Sequence, residues 1–233
     1  MTLNKNLQKD LKSIIFDFDG TLVDSEPVWK QVFKEIFQEE HKVELTIEIM
    51  WKNTGMGVSR SINNISSELA LELDEETVKA TALKINDETH ARIHETLPLR
   101  PGAIDLMEWA ANKDINMGIC SASDKEMLSY FVENRGLGSF ISEIISTYGT
   151  PREEQKPSPI PYQRALNALG ANVHETLAIE DSPAGVQSSL SAGINTVAIK
   201  SDVDLISDAV SKLNPTVQVA DFQELLQLLS SEN

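Results

Sequence analysis

The stretch "IIFDFDGTLVDSEP" ends an apolar run in two aspartates one residue apart, Asp17 and Asp19. A second pair, Glu180 and Asp181, ends the apolar run "TLAIED" in the same way. Residues i and i+2 of a strand face one side, so Asp17 and Asp19 are expected to project together from a strand's carboxyl tip. Carboxylates gathered at one edge repel one another, and burial penalises each of them. A hard divalent cation resolves that conflict. Mg²⁺ prefers oxygen and takes one or two carboxylates, waters and a substrate phosphate. Taken singly, either pair reads equally well as an ordinary cap at a strand–helix junction, where Asp and Ser are common. Both pairs at one edge argue for a shared cation and a phosphoryl group.

Two further residues suit phosphate. Ser121 closes "GICSAS" and can donate a hydroxyl hydrogen bond, while Ala122 and Ser123 offer backbone amides at a helix start. Lys156, in "QKPSP", offers a compact positive charge. By itself Ser121 reads as a helix cap and Lys156 as a solvated surface lysine, so neither carries a claim alone.

Bringing these residues together requires a particular arrangement of elements. Residues 13–18, 115–121, 143–147, 176–181 and 194–200 read as strands, with 216–219 a weaker sixth. From residue 100 onward they alternate with helical patterns, as in "AIDLMEWAAN" and "PYQRALNALG". That alternation is the signature of an α/β fold, a doubly wound, Rossmann-like parallel sheet covered on both faces. Ligands in such sheets bind at the carboxyl edge. No strand is evident between residues 27 and 97. "VWKQVFKEIF" carries Val28, Trp29, Val32, Phe33, Ile36 and Phe37 at helical spacing, and "EETVKATALKINDETHARI" places Val78, Ala82, Ile85 and Ile93 on one face. The economical organisation is a core of residues 1–24 and 98–233 with an all-helical cap inserted at 25–97. "LPLRPG" is the return link, its proline and glycine fitting a boundary.

Composition narrows the partners. Among 233 residues, 41% are hydrophobic and 24% charged, and the formal net charge is −16. A nucleic-acid backbone or an anionic membrane would find no basic field here. A small anionic substrate remains compatible, because a metal and a few cations reverse the field inside one cleft. Cys120 is the single cysteine, which excludes an internal disulfide and suits a reducing compartment. "MTLNKNLQKDLKS" lacks the apolar core of a signal peptide, and no apolar run reaches the ~18 residues a bilayer span needs. The expectation is a cytoplasmic monomer.

"DFDGTLVDSEP", "CSAS", "KPSP" and "IEDSPAG", in that order and each at an expected strand end, resemble the haloacid dehalogenase-like hydrolases. They look most like the small-molecule phosphatases and phosphomutases that include β-phosphoglucomutase. The resemblance implies that Asp17 attacks phosphorus and becomes an aspartyl phosphate. It implies that Asp19 protonates the leaving alcohol, then activates the hydrolytic water. It assigns Mg²⁺ to Asp17, the Asp19 carbonyl and Asp181, with Glu180 a ligand or a neighbour of the ligands. Gly20, Ser121, Ala122 and Lys156 would hold the phosphoryl oxygens, Lys156 also keeping Asp17 ionised.

Dehalogenation lacks the second acid and the magnesium, so Asp19 and the Glu180–Asp181 pair argue for phosphate chemistry. The sugar phosphomutases carry a histidine five positions after the acid that follows the first motif; counted from Asp24, that position is Trp29. Hydrolysis of a sugar phosphate or similar metabolite is therefore expected over phosphoryl return. A phosphomutase and a catalytically silent phosphate-binding protein are the alternatives. "SEP" followed by a tryptophan resembles the sugar-phosphate phosphatases, and "GVSRS" resembles the specificity loop of the mutase group. These nominate Glu26 and Arg60 as substrate contacts, although an acid at a helix N-terminus and an exposed arginine are the plain readings. His41, His90, His94 and His174 are assigned no chemistry.

Overall fold

The computed structural model describes residues 9–53, 56–200 and 204–231. Six parallel strands form one sheet in the order β3-β2-β1-β4-β5-β6. They are β1 (Ser13–Phe16), β2 (Asn116–Ser121), β3 (Ile141–Ser146), β4 (Thr176–Glu180), β5 (Asn195–Ile199) and β6 (Val217–Val219). Each lies within the expected run or overruns it by at most two residues. The order reverses direction at β1, which puts the crevice outside the carboxyl ends of β1, β2 and β4.

β1 is wholly buried between β2 and β4, which explains why it reads as an unbroken apolar run rather than an alternation. Its side chains still alternate. Ile14 and Phe16 join the larger core beneath one face, and Ile15 joins Cys120, Tyr162 and Ala178 beneath the other.

Between β1 and β2 the chain is helical: α1 (Glu26–Ile36), α2 (Ile47–Trp51), α3 (Val58–Glu68) and α4 (Glu75–Thr96). A short π-helical turn, Phe37–His41, prolongs α1 beyond its expected end. These helices gather a separate apolar cluster that includes Val32, Phe37, Ile62, Ile65, Val78 and Ile85. The chain leaves and re-enters the sheet region side by side. Val23 bridges Leu99, the Arg100 amide donates to the Leu22 carbonyl at 2.8 Å, and Arg100 lies 3.7 Å from Asp24.

The remaining helices cover the sheet: α5 (Ala103–Ala111), α6 (Lys125–Asn134), α7 (Ile160–Leu169), α8 (Pro183–Ser191), α9 (Asp204–Lys212) and α10 (Phe222–Ser230). α5, α6 and α10 contribute to the larger core, and α7 to the opposite one. The sheet is thus doubly wound, as the alternation of elements requires.

Candidate active site

The carboxyl ends of three neighbouring strands supply the chemistry, and a loop after β3 completes it. The Asp17 amide donates to the Ile179 carbonyl at 2.9 Å, so the β1–β4 ladder is still intact at the first aspartate. The ladder then stops. Gly20 takes a positive φ of +83°, and the chain turns back so that its amide meets the Val23 carbonyl at 2.8 Å. Asp19 lies in this turn rather than in the strand, so strand alternation does not govern it. The two carboxylates take different hydrogen-bond partners, and both border one cavity.

Asp17 points into a buried ionic cluster. Lys156 Nζ donates to Asp17 Oδ1 and to Glu180 Oε1, both at 2.6 Å, and to the Cys120 carbonyl at 3.0 Å. Only 2% of Lys156 is exposed, so the plain reading of a solvated lysine is wrong. Tyr162 Oη donates to the same Glu180 Oε1 at 2.6 Å. Asp181 accepts from Thr21 Oγ1 at 3.3 Å and lies against Gly20, where any Cβ would overlap its Oδ2. Gly20 therefore makes room for Asp181, a packing reason for glycine after the second aspartate. Asp17, Glu180 and Asp181 present oxygens within 4.8 Å of one another.

With all three carboxylates ionised, the cluster and its one ammonium would carry a net charge of −2, which one divalent cation balances. Burial, reinforced by repulsion from Glu180 and Asp19 against the pull of Lys156, pushes the Asp17 carboxyl up from the usual 3.8 to about 8. Burial, then repulsion from Asp17, Glu26 and Glu180, raises Asp181 well above the carboxylate range. Burial works against the Lys156 charge as well, but Asp17 and Glu180 override it and hold the ammonium above the usual lysine range. The oxygen-only donor set, its burial and its uncompensated charge fit Mg²⁺. Lys156 donates to one oxygen of Asp17 and, with Tyr162, to one oxygen of Glu180, so each of these carboxylates already has one oxygen engaged.

Asp19 faces different company. Ser25 Oγ donates to Oδ1 at 2.6 Å, Trp29 Nε1 donates to Oδ1 at 2.8 Å, and Ser123 Oγ donates to Oδ2. Its side chain is not among the three carboxylates of the cation cluster. A cavity of about 90 Å³ opens between this carboxylate, Asp17 and the helical segment. Ser121 and Ala122 line its floor, and Phe33, Met50, Val58 and Ile65 line its apolar wall.

Glu26 also borders the cavity and pairs with Lys30 at 3.0 Å; burial raises its carboxyl above the usual range. Arg60 does not border it. Its Nη1 reaches the Lys156 carbonyl at 3.0 Å, tying α3 to the loop that presents the lysine. Sequence reasoning missed the hydrogen bonds of Ser25, Ser123 and Tyr162, and that of Trp29 to Asp19. The four-residue spacing of Ser25 and Trp29, which places both on one helix face, was the available signal.

A family model described as haloacid dehalogenase-like hydrolase matches residues 14–199, a span that holds all the residues of this cluster. The chain belongs to the haloacid dehalogenase-like hydrolases. Among the family's proteins, YhcW of Bacillus subtilis, which carries a provisional phosphatase name, is 29% identical over 96% of this chain and 100% of its own. The pyrophosphatase PpaX of Oceanobacillus iheyensis is 28% identical over 81% of this chain and 83% of its own. The fold of CbbY from Rhodobacter sphaeroides, solved with xylulose-(1,5)bisphosphate, superposes with a TM-score of 0.80 at 21% identity, over 95% of this chain and 100% of that one. No described helix is long and apolar enough to cross a membrane.

Proposed function

We propose that this hydrolase is a Mg²⁺-dependent phosphatase acting on a small phosphorylated metabolite, a sugar phosphate by preference. The observation that carries the reading is Lys156 bridging Asp17 and Glu180 beside Asp181, with Asp17 and Asp19 bordering one cavity. An excess of buried carboxylate with one fixed ammonium suits phosphoryl transfer, which needs alignment and charge neutralisation more than covalent chemistry.

In this reading an Asp17 oxygen attacks phosphorus and the bond from phosphorus to the alcohol oxygen breaks. The leaving oxygen takes its proton from Asp19. A water then attacks the aspartyl phosphate, its proton passes to Asp19, and Asp17 is regenerated as phosphate leaves. Ser121 and Lys156 hold the transferring oxygens. Asp17, Asp181 and the Asp19 carbonyl would hold Mg²⁺, which when bound neutralises charge on the phosphoryl group. The helical segment, as a cap spanning 25–97, supplies the apolar wall and excludes water during attack. A phosphomutase is disfavoured by Trp29, whose indole N–H can donate but cannot accept a proton.

Release of phosphate from p-nitrophenyl phosphate and a panel of phosphorylated metabolites tests the reading. The wild type should turn over only with Mg²⁺, and Asp17→Asn should lose about 10³-fold or more in kcat. Equal rates for the two proteins would overturn it.

A further inference from the structure

Ser25 occupies the N-cap of α1 yet makes no cap hydrogen bond; its hydroxyl goes to Asp19 instead. A serine at an N-cap ordinarily accepts from the helix's own amides. Giving up that bond for a carboxylate six residues earlier is the kind of broken local rule that marks a functional site. One turn later Trp29 directs its only polar atom at the same oxygen, Oδ1. Oδ2 has no such donor-only hydrogen-bond partner among the described residues. Ser123 is a hydroxyl on the sheet side, and a hydroxyl can donate or accept.

We infer that Trp29, with Ser25, is a positioning residue that fixes Oδ1 of Asp19, so that Oδ2 is the oxygen exchanging its proton with the leaving group. The inference rests on the reading of Asp19 as general acid and base. An indole N–H is donor-only, so Oδ1 must stay an acceptor whether Asp19 is ionised or protonated. Oδ2 faces a partner able to reverse its role. When Oδ2 carries a proton, the Ser123 hydroxyl can turn from donor to acceptor; when that proton goes to the alcohol oxygen, it can turn back. Trp29 thus sets the orientation of the acid without touching the reacting atoms. Because the ring also borders the cavity, this role has to be separated from simple packing.

Leaving-group dependence separates them. Phenyl phosphate needs its departing oxygen protonated, whereas 2,4-dinitrophenyl phosphate leaves without help, and the two share one ring. Trp29→Phe should lower kcat/KM for phenyl phosphate about 10- to 100-fold, part of what a general acid contributes. Its loss on 2,4-dinitrophenyl phosphate should stay under about 3-fold, and that retained activity also reports a folded enzyme. In an Asp19→Asn background, adding Trp29→Phe should cost nothing further on phenyl phosphate, as coupled residues require. Ser25→Ala, which keeps the indole, should show the same selective loss and carries the test if Trp29→Phe does not fold. Equal losses on the two esters, or an additive loss in the Asp19→Asn background, would overturn the inference. A wild type inactive on both esters with Mg²⁺ would instead overturn the phosphatase reading itself.

Discussion

Asp17 and Asp19 are two residues apart, yet they sit in two different electrostatic regions. Around Asp17 the partners are ionic: an ammonium at 2.6 Å and two further carboxylates, with the backbone still held in the sheet. Around Asp19 the partners are neutral donors, two from the start of the helical segment and one from the loop after β2. The first region requires charge from outside to settle its excess. The second is complete with neutral hydrogen bonds and opens on an apolar wall. The two aspartates, with one residue between them, thus differ in the charge of the groups that hold them.

If the first region depends on imported charge, removing divalent cations should have the largest effect. Chelation should bring phosphatase activity to background, and Mg²⁺ should restore it. The metal-free protein should also show a pH dependence of stability with a definite sign. Asp17 holds its proton to about pH 8 when folded, against the usual 3.8. Its contribution is full below about pH 4 and is lost as pH rises towards 8, so thermal stability of the metal-free protein should fall across that window. Saturating Mg²⁺ should flatten the fall. A melting temperature that rises from pH 4 to 8 without metal would break the description of the cluster.

Lys156→Met probes the same region from within. It removes the one buried ammonium and leaves Asp17 and Glu180 facing each other, at a cost of about 3–5 kcal/mol in urea unfolding. Adding Glu180→Gln should recover part of that loss. The apolar region predicts a different signature. Ile65, 1% exposed at the cavity wall and in the helical cluster, should cost about 2–4 kcal/mol when cut to Ala. The Mg²⁺ concentration for half-maximal activity should stay unchanged. If it moved by tenfold, the two regions would not be as separate as the geometry describes.

All six strands were legible in the residues: β1 and β4 as fully buried apolar runs, the others as short apolar runs between helical patterns. The helical character of residues 26–96 was equally legible from spacing. The meeting of Asp17, Glu180 and Asp181 was readable from acids ending two strands of one parallel sheet, whereas the place of Lys156 came through the resemblance. No local pattern reports a contact between residues 139 positions apart, as Asp17 and Lys156 are. The hydrogen-bond partners of Asp19 and the place of Arg60 could not be read. Asp19 depends on where the sheet ladder ends and how Gly20 turns the backbone. Arg60 depends on how α3 meets the loop bearing Lys156.

The sequence by itself determined the doubly wound sheet, the helical insertion and the acids that end two of the strands, since apolar periodicity and residue type act locally. Tertiary structure alone decided which carboxylate joins the cation cluster and which is tied to Ser25 and Trp29. Side-chain direction beyond the last ladder bond depends on neighbours far along the chain, and their packing is settled only when the whole fold closes.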